Sequence, residues 1–339
     1  MTRKLITKSD LATLARNLAR NHVRFLAPLH RGDEIAFDEV GPDDQIVFDY
    51  VNSDLPPKRF FRPSCQETGW IEKDELKEAP AAVPAAVLFG VRPCDAESFT
   101  LLDKVFLEGD YADNFYRARR EATTVVALAC AAVGDDCFCT ALGAGPDSSK
   151  GADILAFDLG QELLFEAHSP QGEALLKAQA SSFTEPAKSH LADKDKCVAA
   201  LKTATGQAAS GAALPGREKL NRAFHSPAWE QAAETCLGCN VCAYFCPTCH
   251  CFALADEKRD DRGRRLRIED SCLNRAFTAE ASGHNPRPTP GARLRQRIMH
   301  KFSYAEDLYG ETLCVGCGRC IEHCPVNIDV REVLVRVCE

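Results

Sequence analysis

Two runs of cysteines share one spacing. Residues 236–247 and residues 314–325 both read C-x2-C-x2-C-x3-C-P. A cubane of four irons needs one thiolate per iron. A loop with two-residue gaps brings three cysteines to three irons, while the fourth cysteine ligates the cluster of the other run. The runs therefore predict two [4Fe–4S] clusters. The predicted ligands are Cys236, Cys239, Cys242 and Cys324 for the first cluster, and Cys314, Cys317, Cys320 and Cys246 for the second.

Zinc is the alternative occupant, because pairs of Cys-x2-Cys units also build four-cysteine zinc sites. Such sites do not need a third and a fourth cysteine followed by proline, and here the complete pattern occurs twice. Gly238, Gly316 and Gly318 lie between the ligands, where a residue without a side chain lets backbone amides approach the cluster sulfides. The double match favours iron–sulfur clusters over zinc.

A second group of cysteines follows predicted strands in the N-terminal half. Residues 87–91 (VLFGV) and 124–130 (TVVALAC) are apolar runs of strand length, and the stretch DAESFTLLDKVF between them has a helical pattern. Strand, helix and strand in this order predict a crossover with a parallel pair. Further strand candidates are residues 46–50, and residues 154–159 with 163–166, which form a hairpin turning at Gly160-Gln161.

The N-terminal cysteines allow two interpretations. Cys94 and Cys130 follow the two parallel strands and are expected at the same sheet edge, where a loop with Cys137 and Cys139 can close over them. Four thiolates at one edge predict a third [4Fe–4S] cluster. Alternatively, Cys94 and Cys130 are buried core thiols. Cys65 is a spare candidate that could replace one of the four.

The remaining thiols and imidazoles are not assigned as ligands, because eight cysteines already satisfy two clusters. Cys249, Cys251 and Cys272 lie close in sequence to the first motif and are interpreted as groups around its cluster or as redox-inert thiols. His323, inside the x3 gap, is expected only to modulate the local potential. The residues interpreted as having no ligand role also include His250, His284, His300, Cys197 and Cys338.

Two arginine-rich stretches have different patterns. In residues 262–267 arginines are interleaved with acidic residues nearby, which is typical of a solvated face. Residues 290–302 have a helical pattern with Thr289 as the expected N-cap, and they place Arg293, Arg297 and Lys301 along one stripe. We expect that stripe either to dock an acidic partner or to donate hydrogen bonds toward a cluster.

Composition narrows the function classes. The formal net charge of −8 argues against nucleic acid as the main partner. No run approaches the roughly 18 apolar residues that span a bilayer. The first residues do not resemble a secretory signal, and Leu11, Leu14, Ala15 and Leu18 follow helical spacing after Ser9 as N-cap. Eighteen cysteines without an export signal predict a cytoplasmic metal-binding protein rather than a disulfide framework.

The sequence divides into three predicted regions. Residues 1–170 form an α/β domain that includes the possible third cluster. Residues 171–220 form a polar helical or flexible connection, in which TATGQAASGAALPG is of low complexity. Residues 221–339 form a mostly α-helical, two-cluster [4Fe–4S] ferredoxin-like domain, because a long insertion with helical patterns replaces the short hairpin of a minimal ferredoxin.

Several strings together resemble one family over nearly the full length: GVRPCDAESFTLLDKVF, CFCTALGAGPD, CLGCNVCAYFCPTCHCF, EDSC, ASGHNPRPTPGARLRQRIMHKF and CVGCGRCIEHCPVNIDVREVL. The family is that of the β subunits of cytoplasmic NAD(P)-linked [NiFe] sulfhydrogenases (sulfur reductases), to which the A subunit of anaerobic sulfite reductase is similar. Related subunits occur beside heterodisulfide-reductase-like modules. The resemblance implies a non-catalytic electron-transfer subunit. Its implied partners are a flavin- and NAD(P)-binding reductase subunit and a catalytic metal subunit.

The resemblance favours the small and large subunits of a [NiFe] hydrogenase as the catalytic metal partner. The alternatives are an anaerobic sulfite reductase or a heterodisulfide-reductase-like complex. The residues by themselves also leave open a stand-alone flavin and iron–sulfur reductase, or a cluster-bearing scaffold. The sequence contains no P-loop, GxGxxG or GxSxG motif that would indicate a substrate site of its own.

Overall fold

The computed structural model describes residues 2–73, 75–208 and 214–339. The strands are β1 (Arg3–Thr7), β2 (Arg24–Arg31), β3 (Glu34–Glu39), β4 (Cys65–Glu72), β5 (Glu75–Glu78), β6 (Ala86–Val91), β7 (Thr123–Leu128), β8 (Ile154–Asp158), β9 (Glu162–Ala167), β10 (Phe252–Arg259) and β11 (Arg262–Glu269).

The helices are α1 (Leu11–Arg20), α2 (Pro93–Leu107), α3 (Asn114–Glu121), α4 (Pro170–Ala178), α5 (Lys188–Ala208), α6 (Arg217–Arg222), α7 (Ala228–Ala232), α8 (Val241–Tyr244), α9 (Pro290–Met299), α10 (Ala305–Tyr309), α11 (Arg319–Glu322) and α12 (Val330–Val337). Within these ranges no helix is long and apolar enough to cross a membrane.

The chain forms two compact units, each built from separate segments. The first unit comprises residues 1–57, 82–211 and 315–317, and the second comprises residues 58–81, 212–314 and 318–339. The short segment 315–317 lies inside the second cysteine motif. A linear division of the chain into regions does not capture this exchange of segments.

The first unit is an α/β sheet with the strand order β1-β9-β8-β7-β6-β2-β3 in the described residues. Strands β2, β6, β7 and β8 are parallel neighbours, whereas β1, β9 and β3 pair in antiparallel fashion. Every residue of β6 and β7 is buried, as expected for central parallel strands covered on both faces. The predicted crossover, parallel pair and hairpin are therefore confirmed.

Two local predictions in the first unit need correction. Residues 46–50 do not form a strand, since Ile46 makes only an isolated bridge to Leu29. Helix α1 buries the four predicted apolar residues, but Asp10 occupies the N-cap position and Ser9 lies in a preceding 3-10 turn. The backbone there is capped one turn earlier, because the Thr7 side chain accepts from the Asp10 amide.

The predicted connection 171–220 contains regular structure. Helix α4 is capped by Ser169, whose hydroxyl accepts from the Gly172 amide, and α5 continues to Ala208. The first residues of the low-complexity stretch therefore continue a helix rather than a coil. Its residues 209–213 lie outside the described part of the chain.

The second unit contains an antiparallel sheet in the order β10-β11-β4-β5, in addition to its helices. The strands β10 and β11 belong to the insertion between the two motifs, which was expected to be helical. They form a hairpin because oppositely charged residues face each other across it: Arg265 pairs with Asp256 at 2.7 Å, and Arg264 with Glu257 at 2.8 Å. The arginine run is thus a strand whose first arginines are solvated, as expected, whereas Arg267 is buried and donates to the Gln66 side chain at 2.6 Å.

Helix α9 confirms the other predicted element of the insertion. Thr289 caps it by accepting a hydrogen bond from the Ala292 amide at 3.1 Å, and Pro290 is in the first turn. The helix ends one turn earlier than expected and continues as a π-helical turn, His300–Tyr304.

Candidate metal centres

The first predicted ligand set lines one cavity in the second unit. The cavity measures about 50 Å³, and its lining includes all four cysteines: Cys236, Cys239, Cys242 and Cys324. Cys324 comes from the second motif, so the structure brings the two runs together as the spacing requires. The loop of the first motif wraps tightly because Gly238 and Asn240 have φ angles of 67° and 66°. Four thiols around a cavity fit a cubane.

The rest of this cavity is mostly apolar, with one charged group. Leu294, Ile298 and Val333 contribute aliphatic walls, and Arg297 contributes a guanidinium. Burial raises the pKa of the Cys242 thiol, and the charge of Arg297 offsets part of this rise. A metal that binds here must displace protons from the thiols, and the dry surroundings then limit solvent access to the bound group.

The second predicted set is divided between the two units. Cys246, Cys314 and Cys320 belong to the second unit, and Cys317 to the first. Within the second unit, Thr248 donates a 2.7 Å hydrogen bond to the carbonyl oxygen of Leu313, the residue before Cys314. Lys301 also donates to that carbonyl, at 2.8 Å. These contacts hold the residues that follow Cys246 against the start of the second motif, and the ligand set as a whole stays a prediction.

The four N-terminal cysteines come together in the first unit. A cavity of about 20 Å³ is bordered by five thiols: Cys94, Cys130, Cys137, Cys139 and Cys317. The first two follow β6 and β7, whose parallel register aligns Val91 with Ala127. The predicted juxtaposition is thus present, and Cys317 of the second motif adds a fifth thiol that sequence reasoning did not place there.

A buried cation accompanies the N-terminal thiols. Arg92 is 0% exposed, stacks on the Tyr50 ring, and donates to the carbonyl oxygens of Val51 and Ala129. Burial raises the pKa of Cys130 to about 12, although the Arg92 charge opposes this rise, and burial raises that of Cys139 to about 11. The thiols are therefore protonated at neutral pH unless a metal binds them.

Two further contacts position the loop of the second motif. Asn52 donates from Nδ2 to the carbonyl oxygen of Cys317 at 2.7 Å, and Phe138 donates its amide to the carbonyl oxygen of Gly316 at 2.8 Å. A Cβ atom added to Gly316 would lie 2.5 Å from the Cys139 nitrogen. Sequence reasoning missed Asn52 because 265 residues separate it from Cys317.

Three cysteines without an assigned role also border one cavity. Cys249, Cys251 and Cys272 line a space of about 10 Å³ in the second unit, together with His250, His300, Arg297 and Lys301. The thiol of Cys272 is hydrogen-bonded to that of Cys251. The sequence indicated their nearness to the first motif but not their convergence, since Cys272 is separated from Cys251 by a hairpin.

The basic stripe of α9 is not a docking surface. Arg293, Arg297 and Lys301 are only 8%, 5% and 6% exposed. Arg297 donates from Nη1 to Cys249 Sγ at 3.0 Å and from Nη2 to the Cys242 carbonyl oxygen at 2.6 Å. Arg297 fits the alternative expectation, because it donates a hydrogen bond beside a predicted cluster ligand. Arg293 instead donates to the carbonyl oxygens of Arg287 and Pro288.

The histidines occupy different environments. His250 and His300 meet edge to face at 5.4 Å, and burial lowers the pKa of His250 to about 3 and that of His300 to about 4. Both rings are therefore neutral near pH 7. His323 packs on Phe245 at 4.6 Å, and His284 is exposed.

The remaining cysteines are not among the thiols that border the N-terminal cavity. Cys65 begins β4 in the second unit and is exposed, and its role as a spare ligand stays a prediction. Cys197 approaches the carbonyl oxygen of Asp158 at 4.0 Å. In the ranges that the structure describes, no three histidine, cysteine or acidic side chains converge as they would on a single metal ion.

Comparisons with known proteins place these sites in a family. Residues 235–328 match the family model of the 4Fe-4S dicluster domain. The chain is 34% identical over 322 residues to sulfhydrogenase 2 subunit beta of Pyrococcus furiosus. The aligned region covers 93% of this chain and 92% of that protein. No solved structure matches the chain. The match extends over both the α/β sheet and the motif-bearing segments, and the chain belongs to the family of sulfhydrogenase β subunits.

Proposed function

We propose that this chain is the iron–sulfur electron-transfer subunit of a multi-subunit cytoplasmic oxidoreductase. It connects a flavin- and NAD(P)-binding subunit with a catalytic metal subunit, for which a [NiFe] hydrogenase is the preferred candidate. The observation that carries the proposal is the cavity lined by Cys236, Cys239, Cys242 and Cys324, since it unites cysteines of both motifs. Bound [4Fe–4S] clusters supply one-electron transfer.

The chain's own residues hold the clusters and adjust their surroundings. The second set, Cys246, Cys314, Cys317 and Cys320, is proposed from its spacing, which repeats that of the first motif. Apolar side chains around the first cavity keep water away, and Arg297 places positive charge beside Cys242. The charge of Arg297 favours the more negative, reduced state of a bound cluster, whereas the exclusion of water disfavours it, so both features help to set the potential.

We also propose a third [4Fe–4S] cluster in the first unit, held by Cys94, Cys130, Cys137 and Cys139. Their common cavity supports it, and so does Arg92. The buried guanidinium donates to the carbonyl oxygens of Val51, Ala129 and Phe48, and its positive charge opposes the rise in the pKa of Cys130. It would offset part of the negative charge of thiolates around an iron–sulfur core.

Anaerobic purification with co-purifying subunits tests the function. Iron, sulfide, nickel, zinc and flavin are determined on one sample, followed by reduction with NADH or NADPH. We expect nickel and flavin in the complex, reversible reduction of the clusters, and at least about twelve irons per chain of this subunit. A content of about eight irons per chain would show that the third cluster is absent. Sirohaem instead of nickel would indicate a sulfite reductase, and zinc without acid-labile sulfide would refute the electron-transfer role.

A further inference from the structure

A third group of thiols in the second unit meets at one cavity. Cys249, Cys251 and Cys272 border one cavity, and none of them belongs to the eight motif ligands or to the N-terminal set. The hairpin of β10 and β11 brings the last two side by side, because the Asp270 amide donates to the Cys251 carbonyl oxygen at 3.0 Å. Cys272 follows two residues later, and its thiol reaches that of Cys251.

The backbone that carries Cys249 and Cys251 is held by buried cations. Lys58 Nζ donates to the Cys249 carbonyl oxygen at 3.1 Å, and Arg62 donates to that of Cys251. Both cations pair with Glu269, at 2.9 and 3.3 Å. The backbone beside these two thiols is thus fixed by two cations that share one carboxylate, as a preorganised ligand site requires.

Two further cations line the cavity itself. Lys301 and Arg297 both line it and are nearly fully buried. Their acceptors are the Thr248 hydroxyl, the carbonyl oxygens of Leu313 and Cys242, and the sulfur of Cys249. Both cations also lie near the motif ligand Cys246. Their charge can therefore offset that of metal-bound thiolates in this cavity as well as in the motifs.

The same cavity offers nitrogen ligands. His250 Nδ1 lies 3.1 Å from the Thr248 carbonyl oxygen, which can only accept, so Nδ1 carries the proton and Nε2 the lone pair of the neutral ring. Metal-bound histidines have this arrangement, in which one ring nitrogen donates to a carbonyl and the other faces the metal. His300 borders the cavity as well.

From these contacts we infer that Cys249, Cys251 and Cys272 bind a further iron–sulfur cluster, with an imidazole of His250 or His300 at the fourth iron. Assembly of the 2+ core of such a cluster takes sulfide with ferrous and ferric iron in equal parts, and the three thiols lose their protons on binding iron. Three thiolates leave the cluster anionic overall, and Arg297 and Lys301 offset that charge. The thiols of Cys246 and Cys249 are hydrogen-bonded, so the cluster would lie next to a motif ligand and extend the path for electrons. The inference adds a site to the proposed function and does not depend on the partner subunits.

The test compares iron stoichiometry in full-length chains reconstituted anaerobically with ferrous iron, ferric iron and sulfide. We expect the Cys272→Ala variant to bind about four irons fewer than the wild type, while Cys338→Ala, which removes a half-buried cysteine elsewhere in the second unit, binds the same number. Because the readout is a difference, it does not depend on whether the N-terminal site is filled. Mössbauer and EPR spectra should show that the signals of the motif clusters persist.

Three results would overturn the inference. They are an iron content of Cys272→Ala equal to that of the wild type, zinc in the wild type that disappears from the variant while iron is unchanged, and a Cys251–Cys272 disulfide in the reconstituted wild type. If circular dichroism shows that Cys272→Ala does not fold, Cys272→Ser keeps the side-chain size and carries the same expectation. His250→Ala and His300→Ala then identify the fourth ligand by the change in the EPR spectrum.

Discussion

The side-chain amide of Asn52 donates a 2.7 Å hydrogen bond to the carbonyl oxygen of Cys317, and its Oδ1 faces Cys94 Sγ at 3.9 Å. One amide therefore contacts a cysteine of the second motif and a cysteine of the N-terminal set. Cys137 Sγ also lies 4.0 Å from the Cys317 carbonyl oxygen. These contacts belong to the first unit, and they make the loop of the second motif part of the surroundings of the N-terminal thiols.

The N-terminal site should lose its metal when one thiol is removed. In the Cys130→Ala variant we expect about four irons fewer per chain than in the wild type, because a cubane with three protein ligands in place of four is less tightly held. Cys197→Ala is the matched control, since it removes a partly buried thiol of the same unit outside the cavity. Iron and sulfide assays on both variants measure the effect. Equal iron in all three proteins would mean that these are core thiols.

The corresponding glycines of the two motifs should differ in their tolerance of a side chain. Gly316 and Gly238 have φ angles of 62° and 67°, so alanine at either position incurs a backbone cost of about 1–2 kcal/mol. At Gly316 the added Cβ would also lie 2.5–2.6 Å from backbone atoms of Phe138 and Cys139, whereas at Gly238 nothing lies within 4 Å. We expect Gly316→Ala to lower the free energy of unfolding by about 3 kcal/mol or more.

Gly238→Ala is the control for this prediction, because it carries the backbone strain without the clash. Denaturant unfolding of the two variants measures the difference between them. We further expect Gly316→Ala, but not Gly238→Ala, to reduce the iron content of the N-terminal site, since the displaced atoms include the Cys139 backbone. Similar losses in the two variants would show that the close approach of Gly316 to Cys139 does not matter.

The parts of the site that the sequence predicts well are those encoded in local spacing. The cysteine runs have fixed gaps, and the buried, mostly apolar strands around Val87 and Val125 identify the parallel pair that Cys94 and Cys130 follow. The hairpin in the insertion was missed because its pairing rests on cross-strand charges, such as those of Arg265 and Asp256, rather than on apolar alternation.

The buried cations could be predicted only in part from local pattern. Arg297 lies on a helix whose arginines recur at helical spacing, which is also typical of a solvated face, and only the tertiary structure shows that it reaches Cys249 and Cys242. Arg92 gives no pattern at all, since it stands alone between a strand and a helix. Its acceptors include the carbonyl groups of Phe48 and Val51, which are 44 and 41 residues away.

Removing the charge of Arg297 should lower the reduction potential of the first cluster. The Arg297→Met variant keeps the bulk of the side chain but takes a cation away from the Cys242 carbonyl group, so the more negative, reduced state loses stabilisation. For unit charges several ångströms apart in a protein, the effect is a few kcal/mol, or on the order of 100 mV for one electron. An EPR-monitored redox titration measures it.

Arg293→Met provides the matched control for this titration. Arg293 is buried on the same helix, but it donates to the carbonyl oxygens of Arg287 and Pro288 and not to a cysteine. We expect a much smaller change of potential in this variant. Equal shifts in both variants would indicate a general effect of helix α9, and no shift in Arg297→Met would refute the role of its charge.

Acid should destabilise the metal-free chain through His300. Burial lowers the pKa of this imidazole from 6.5 to about 4, so as the pH falls the unfolded chain binds a proton before the folded chain does. The contribution of His300 to stability is complete above about pH 6.5. It is lost as the pH falls from about 6.5 to 4, and the loss reaches about 2 kcal/mol at pH 5. Urea unfolding at pH 7.5 and pH 5 should therefore show a smaller pH effect in His300→Asn than in the wild type. His284→Asn, which removes an exposed imidazole, should behave as the wild type, and an unchanged pH effect in His300→Asn would contradict the assignment.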